Sequence, residues 1–263
     1  MCLILFAYRV HTDYPLVIAA NRDELYARPA LSAHNWEDKP DVFAGRDLTA
    51  GGTWLGVSES GRFAAVTNFA EESGSDAPVS RGLLTESFLT SDTSAHDFAH
   101  HIEGLKYRGF NLLLWDGQKL VYTSNRGTTE DLKPGTYGLA NAELGAAWPK
   151  VVRGTRSLEA LLDSNLGTEL LQEALLELLA DTSVPNDEEL PIRGRPIELE
   201  RQVAPCFIKG VDYGTRASTS VIIEHEQIQF AEQLYDVGGK PGERSDFQLD
   251  LSPHGEKVRT HGD

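Results

Sequence analysis

Cysteine and methionine are scarce in this chain of 263 residues, which contains only Cys2, Cys206 and a single methionine. Two cysteines are too few for the disulfide framework that stabilises small secreted domains. The eight histidines are scattered, and none lies near a cysteine at the spacing of a structural zinc site. We therefore expect no metal site and a reducing, cytoplasmic location.

Basic residues and long apolar segments are also in short supply. The chain has 24 lysines and arginines against 40 acidic residues, which gives a formal net charge of −16. Sequence-independent binding to nucleic acid needs a basic surface, so a nucleic-acid partner is excluded. No apolar run approaches the roughly 20 residues of a transmembrane helix, so we expect no membrane span.

What the sequence does contain is a succession of short apolar runs and a few segments with helical spacing. We predict strands at 2–8, 16–20, 54–57, 62–67, 110–115, 119–124, 135–139, 206–211, 219–224 and 228–235, and helices at 81–89, 95–105, 150–162 and 168–179. We predict loops at 25–42 and 73–78, and a surface loop or flap at 181–205.

The order of these elements predicts the fold class. Strands and helices come in groups, without the single helix between successive strands that parallel crossovers require. We therefore expect an α+β protein in which two mostly antiparallel sheets are packed between helix layers. Residues 1–235 are predicted to form one domain. Residues 236–263 form a polar C-terminal extension whose end, at 254–263, we expect to be mobile.

The opening strand places a thiol at residue 2. If the initiator Met1 is removed, Cys2 carries both a free α-amine and a thiol. An α-amine titrates near pH 8, so it can accept the proton of its own thiol and activate it as a nucleophile. The alternative is that Cys2 is a small apolar core residue, as free cysteines often are.

Polar residues follow abruptly at the end of the second predicted strand. Arg22 and Asp23 could orient the amine and polarise a substrate carbonyl, with Asn21 as a substrate-binding residue. Equally, the charged pair could be an ordinary surface salt bridge. Asn68 and Asn141 each end a strand, where a side-chain amide could donate to an oxyanion or simply allow a turn.

Two later segments add cationic and aromatic candidates. Arg46 and Trp54 flank the Gly51-Gly52 pair, where we expect a tight turn, and both are candidates for binding substrate. Arg216 leads into a strand rich in hydroxyl side chains and could pair with Asp23 or with a substrate carboxylate. The alternative for Arg216 is an exposed strand start.

Several of these segments occur together in a recognisable series: Met1-Cys2-Leu3-Ile4, Asn21-Arg22-Asp23-Glu24, Gly45-Arg46-Asp47 with Ala50-Gly51-Gly52-Thr53-Trp54-Leu55-Gly56, Asn68, Trp148-Pro149-Lys150-Val151, and Tyr213-Gly214-Thr215-Arg216-Ala217-Ser218-Thr219. The series resembles the NRDE family, also called the transport and Golgi organisation protein 2 family. It covers residues 1–235.

The resemblance implies the fold of N-terminal-nucleophile hydrolases, a four-layer αββα sandwich. Cysteine amidases of that fold, such as penicillin V acylases and bile salt hydrolases, combine a terminal cysteine with an arginine, an aspartate, later asparagines and a distal arginine. In this chain those roles would fall on Cys2, Arg22, Asp23, Asn68, Asn141 and Arg216.

Three functions follow as hypotheses. The residues favour a cysteine amidohydrolase that acts on a small amide or acyl compound and requires no cofactor. The family resemblance also implies haem trafficking, with haem as the ligand, Cys2, His11 or His34 as axial ligand, and a transient haem-acceptor protein as partner. A third hypothesis is a protein that binds acyl-CoA or lipid.

Overall fold

The structure is a computed structural model that describes residues 2–70 and 78–251. The predicted loop at 73–78 and the predicted mobile end at 254–263 therefore lie outside the described residues, apart from Pro78. The strands are β1 Cys2–Tyr8, β2 Leu16–Leu25, β3 Ala30–Trp36, β4 Lys39–Asp47, β5 Leu55–Ser58, β6 Phe63–Asn68, β7 Phe110–Trp115, β8 Leu120–Ser124, β9 Thr129–Asp131, β10 Gly135–Leu139, β11 Tyr213–Ile223, β12 Gln227–Asp236 and β13 Lys240–Asp250. The helices are α1 Gly82–Leu89, α2 Ala95–His100, α3 Pro149–Leu162, α4 Thr168–Leu179 and α5 Ile197–Val203.

The strands form two antiparallel sheets. The first has the order β10-β1-β2-β11-β12-β13, and the second has the order β3-β4-β5-β6-β7-β8-β9. In the first sheet β1 pairs with β2 as a hairpin whose register sets Cys2 opposite Arg22. On its other side β2 pairs with β11, where Asp23 lies opposite Thr215. This central trio of strands brings the N-terminal thiol and the polar end of β2 together.

Three hydrophobic clusters separate four layers. Alternate residues of β1 point to opposite faces, as the two-residue period of a strand requires. Ile4, Phe6 and Tyr8 pack between the two sheets, against side chains such as Phe43 and Phe63 of the second sheet. The other face of β1, with Leu3 and Leu5, packs on α3 and α4.

The outer face of the second sheet packs on α1 and α2, through residues such as Leu84 and Phe88. The layers are therefore helices, sheet, sheet and helices. The predicted α+β class with two antiparallel sheets between helix layers is confirmed.

Residues 25–42 were predicted to form a loop, and that prediction was wrong because the segment contains β3 and the start of β4. β3 is an edge strand, its pairing with β4 has two register shifts, and most of its side chains are half-buried or exposed. Edge strands with bulges lose the alternation of apolar and polar residues on which strand prediction depends.

The predicted strand at 206–211 was also wrong, although Cys206, Phe207 and Ile208 are buried. The backbone N–H of Phe207 donates to the carbonyl of Asp181, and that of Ile208 donates to the hydroxyl of Thr215. These residues are buried but do not pair in a sheet, which explains why their apolar run was mistaken for a strand. Conversely, β13 was not predicted because it is a polar, exposed strand at the edge of the first sheet.

The predicted flap at 181–205 contains structure of its own. A short 3₁₀ turn at Asp187–Glu189 and helix α5 lie within it. In the described part of the chain, no helix is both long enough and apolar enough to cross a membrane.

Candidate functional site

A cavity of about 120 Å³ opens where β1 begins and the polar end of β2 passes beside it. Cys2, Arg22, Asp23, Trp54 and Asn68 line it. Five of the nine residues that were predicted from the sequence as catalytic or substrate-binding residues therefore line one small cavity. The register of β1 with β2 explains this, because it sets Cys2 directly beside Arg22.

Asn141 holds the main-chain nitrogen of Cys2. The nitrogen donates to Asn141 Oδ1 at 2.9 Å, and Asn141 Nδ2 donates in turn to the carbonyl of Asn68 at 2.7 Å. Asn141 is buried, whereas the Asn68 side chain is exposed at the cavity. The Asn141 side chain is thus placed to orient the nitrogen that becomes the α-amine when Met1 is removed.

Asp23 is buried directly behind this position. Its Oδ1 accepts a hydrogen bond of 2.7 Å from the hydroxyl of Thr215, and its carbonyl accepts one of 3.1 Å from the hydroxyl of Tyr213. Burial raises the pKa of the Asp23 carboxyl, while the N-terminal amino group, Lys150, the Thr215 hydroxyl and Arg22 act in the opposite direction. The charge state of Asp23 therefore depends on the balance between burial, which favours the neutral acid, and neighbouring cations, which favour the carboxylate.

Arg22 forms one wall of the cavity. Its guanidinium lies 4.4 Å from the centre of the Trp54 ring, and Nη2 lies 3.6 Å from Asp47 and 3.9 Å from Glu24. Burial lowers the pKa of Arg22, and Glu24, Cys2 and Asp47 oppose that effect. An arginine remains charged throughout the physiological range, so the ring and the two carboxylates hold a permanent cation beside Cys2.

The rim of the cavity carries further charges of both signs. Arg28 Nε pairs with Asp47 at 2.7 Å, and Arg81 also lines the space. Burial would raise the pKa of Asp47, but hydrogen bonds from Arg28 and from the N–H groups of Ala50 and Thr49 bring it below its ordinary value. Three arginines and three carboxylates line the cavity, which makes it electrically balanced in a strongly acidic protein.

The structure places Asn21 and Arg46 elsewhere. Asn21 Nδ2 donates to the carbonyls of Leu179 and Cys206 at 2.9 and 2.8 Å, so its side chain faces the helix layer. The Arg46 guanidinium pairs with Asp38 and stacks on Trp36 at 4.2 Å. Neither side chain joins the cluster around Cys2, and their predicted role in binding substrate stays a prediction.

Arg216 also points away from the cavity. It is the extra residue of a bulge between β11 and β2, where the register shifts between Thr215 and Ala217. Its Nη1 donates to the carbonyls of three residues at and just after the end of β2, at 2.8 to 3.2 Å: Leu25, Tyr26 and Arg28. In this position Arg216 fixes the chain that carries Arg28 to the rim.

Lys150 and Thr215 belong to this network but received no role from the sequence. Lys150 is buried at the start of α3, and its Nζ donates to the carbonyl of Val203 at 3.1 Å. Burial lowers the pKa of Lys150, and Asp23, Cys206 and Cys2 oppose that effect. Both residues lie within the motifs that resemble the NRDE family. No other feature of the sequence could have identified them as part of the site.

Haem does not fit the residues around Cys2. About 120 Å³ is well below the roughly 300–1,000 Å³ of most cofactor sites, and charged side chains surround it. His34 is half-buried in β3, and its Nδ1 lies 2.7 Å from the carbonyl of Ser32.

His11 lies at the opposite end of β1, in a cavity of about 950 Å³ that Arg9 and four carboxylates also line: Glu59, Asp116, Glu224 and Glu226. Such an acidic surface would repel the propionates of haem. Across residues 2–70 and 78–251, no group of three or more His, Cys, Asp or Glu side chains is arranged to hold a metal ion.

The fold resembles that of a solved amidase structure. The N-acylethanolamine-hydrolyzing acid amidase ortholog of Caenorhabditis elegans aligns with a TM-score of 0.52 and 10% identity, over 84% of this chain and 92% of that protein. At such low identity the likeness concerns the fold. It confirms the predicted fold of the N-terminal-nucleophile hydrolases.

The sequence comparisons identify the family. The family model described as Transport and Golgi organisation 2 matches residues 1–236. The Transport and Golgi organization protein 2 homolog of Bos taurus is 38% identical over 262 residues, which are 89% of this chain and 92% of that protein. The Homo sapiens homolog is 34% identical over the same shares of the two chains. The chain therefore belongs to the Transport and Golgi organisation 2 family.

Proposed function

We propose that this protein is a cysteine amidohydrolase that acts on a small, polar amide, with Cys2 as an N-terminal nucleophile after removal of Met1. One observation carries the proposal. The nitrogen of Cys2 is already held by a buried asparagine, at a cavity that also contains Arg22 and Asp23. A preorganised nitrogen beside its own thiol is what a self-activating nucleophile requires.

In the proposed reaction the α-amine of Cys2 accepts the proton of the thiol, and the sulfur attacks the substrate carbonyl. The Asn68 side-chain amide, exposed at the cavity, donates to the resulting oxyanion. Collapse breaks the C–N bond, and the leaving amine takes the proton from the α-ammonium. Water then adds to the thioester, the thiol is released, and the product is a carboxylic acid.

The charges around the cavity favour a substrate with polar or charged substituents. Carboxylates and guanidinium groups line it in equal number, so either sign can find a partner. Its small volume disfavours a long acyl chain, which argues against the acyl-CoA or lipid hypothesis. The solved relative is named as an amidase, a reaction class that agrees with this proposal, although the likeness itself concerns the fold.

The proposal needs no cofactor, and the protein would work in a reducing compartment where Cys2 and Cys206 stay free thiols. The haem hypothesis, with its acceptor protein, has less support because neither cavity suits the group in size and charge together.

A turnover assay on a library of small amides tests the proposal. Wild-type protein with a verified Cys2 terminus should release amine from at least one library member. Cys2→Ala should abolish release, whereas the matched control Cys206→Ala should retain it. Cys206 is buried, and burial raises its pKa to about 11, so it is a poor nucleophile. No turnover by the wild type, together with a shifted Soret band on haemin titration, would favour the haem hypothesis instead.

A further inference from the structure

A small recess lies between the two sheets, next to the cavity that contains Cys2. Its volume is about 10 Å³, and its walls include five buried residues: Ile4, Ala20, Leu55, Val66 and Thr219. Four residues line both the recess and the outer cavity: Cys2, Arg22, Trp54 and Val66. Cys2 therefore stands where a closed recess meets the cavity.

The pairing of β1, β2 and β11 explains why the recess forms beside Cys2. Successive residues of a strand alternate between its faces, so Cys2 shares the face of β1 on which Ile4 packs between the sheets. Ile4 is paired with Ala20, and Ala20 is paired in turn with Thr219. Ala20 has the smallest side chain of this row, and it leaves space beneath Leu55 of the second sheet.

The polar side chains that line the recess already have partners, apart from the Cys2 thiol. The Thr219 hydroxyl donates to Glu232 Oε2 at 3.3 Å, and Asn21 is bound to carbonyls of the helix layer. The Arg22 guanidinium stacks on Trp54 and lies near two carboxylates of the outer cavity.

The size and the chemistry of the recess together indicate its occupant. A volume on the order of 10–15 Å³ accommodates one group the size of a water molecule, and a buried water needs two to four polar partners. Because the polar groups of the recess are already bonded, a small alkyl group suits it better than water.

We infer that the recess is the acyl subsite of the proposed hydrolase and accepts a formyl or acetyl group, so that the substrates are N-formyl or N-acetyl derivatives of polar amines. The inference rests on the proposed function. It adds a chain-length limit, which is set by Ile4 and Leu55 in the recess, to the preference of the outer cavity for polar substituents.

The order of the reaction decides which half of the substrate enters the recess. The Cys2 sulfur bonds to the acyl carbon, the C–N bond breaks, and the amine leaves with the thiol proton that the α-amine carried. The acyl group stays on Cys2 until water releases formic or acetic acid and restores the thiol. A closed recess suits the group that stays, while the amine departs through the outer cavity.

The first test measures how chain length affects the reaction of Cys2 with 4-nitrophenyl esters. Attack by the thiol gives an acyl thioester, releases 4-nitrophenolate and leaves the thiol proton on the α-amine. After subtraction of the Cys2→Ala background, wild-type kcat/KM should fall by at least about tenfold from the acetate to the butanoate ester. Equal values for acetate, butanoate and hexanoate would overturn the inference.

Two variants that enlarge the recess should move this limit. Leu55→Ala should raise butanoate kcat/KM relative to acetate by at least about tenfold, and the milder Ile4→Val should raise propanoate relative to acetate. Matched controls remove the same atoms from the same core without lining the recess: Leu120→Ala and Ile18→Val. The controls should keep the wild-type ratios. A ratio of two esters does not depend on the folded fraction, so unchanged ratios in both enlarged variants would also overturn the inference.

A second measurement does not depend on turnover. In Cys2→Ala protein, the methyl NMR signals of Leu55 and Val66 should shift on titration with N-acetylglycinamide. The same concentration of N-hexanoylglycinamide should leave them in place. Shifts with both amides, or with neither, would contradict a subsite limited to short acyl groups.

The two proposals fail in different ways. If the wild type retains Met1 or releases 4-nitrophenolate from none of the esters, the proposed function fails, while the methyl signals still report whether the recess binds an acetyl group. If Cys2 reacts equally well with every chain length, the hydrolase proposal stands and the role of the recess falls.

Discussion

The two ends of β1 differ in a way that bears on function. At the Cys2 end, a small cavity is surrounded by buried polar groups that already hold one another, such as Asn141 on the Cys2 nitrogen and Thr215 on Asp23. At the His11 end, a cavity of about 950 Å³ is lined mainly by acidic and exposed side chains. Chemistry depends on preorganised groups in a dry setting, so the smaller cavity is the better candidate for a reaction centre.

Substitutions at the two ends of β1 should differ most in their effect on turnover. Cys2→Ala should lower amide turnover by at least about 10³-fold, because the nucleophile is lost and only binding remains. His11→Ala, at the other end, should leave turnover unchanged. The measurement is amine release under saturating substrate. Equal losses in the two variants would remove the distinction between the ends.

Asn141 should have the next largest effect. Asn141→Ala removes the acceptor from the Cys2 nitrogen and should lower kcat by roughly 10²-fold, with little change in KM. Asn141→Asp keeps an acceptor for that nitrogen but loses the donor to Asn68, so it should retain more activity. Steady-state kinetics of the two variants measures kcat and KM separately. A rise in KM with an unchanged kcat would contradict a role for Asn141 in orienting the amine.

Glu232 provides a test in a third region of the molecule, the interior between the two sheets. Its Oε1 accepts from the N–H of Ala33 in the second sheet at 2.8 Å, and burial raises its pKa from 4.5 to about 7. The folded protein therefore binds this proton more tightly than the unfolded chain does. The contribution to stability is complete below pH 4.5 and is lost as the pH rises through about 7.

Glu232→Gln should remove this dependence. The variant should match the wild type at pH 4 and have a free energy of unfolding about 3 kcal/mol higher at pH 8. Urea unfolding at several pH values measures the difference. A wild-type protein that gains stability over Glu232→Gln as the pH rises would show that the carboxylate is the favoured form.

The smallest effect is expected at Arg46, which the sequence nominated for substrate binding. Its guanidinium pairs with Asp38, which is half exposed, and surface pairs of this kind contribute little to stability. Arg46→Ala should therefore reduce stability slightly and leave KM unchanged. A clear rise in KM would show that Arg46 reaches the substrate after all.

Sequence patterns predicted the elements whose signals are local. The strands predicted at 110–115 and 119–124 correspond to β7 and β8, and the helix predicted at 168–179 has the limits of α4. The hairpin of β1 and β2 brought Cys2, Arg22 and Asp23 together because those residues lie on paired strands. Two edge strands were missed: β3, whose register shifts disturb its alternation, and β13, whose side chains are mostly polar and exposed.

The site was harder to predict where distant segments meet. Asn21 and Arg22 are neighbours in sequence, yet only Arg22 faces the cavity, because successive residues of a strand point to opposite sides. The segment at 206–208 contacts both the carbonyl of Lys150 and the hydroxyl of Thr215, an arrangement that no local pattern encodes. Motifs marked these segments, but only the fold assigned each side chain its neighbours.

The role of Cys2 is tested most directly by the intact mass of the native protein, before and after treatment with a thiol-directed electrophile. If Cys2 is an N-terminal nucleophile, Met1 is absent and a single rapid adduct forms on Cys2, while the buried Cys206 stays unmodified. Retained Met1, or a Cys2 that reacts no faster than Cys206, would contradict the claim that Cys2 is an N-terminal nucleophile.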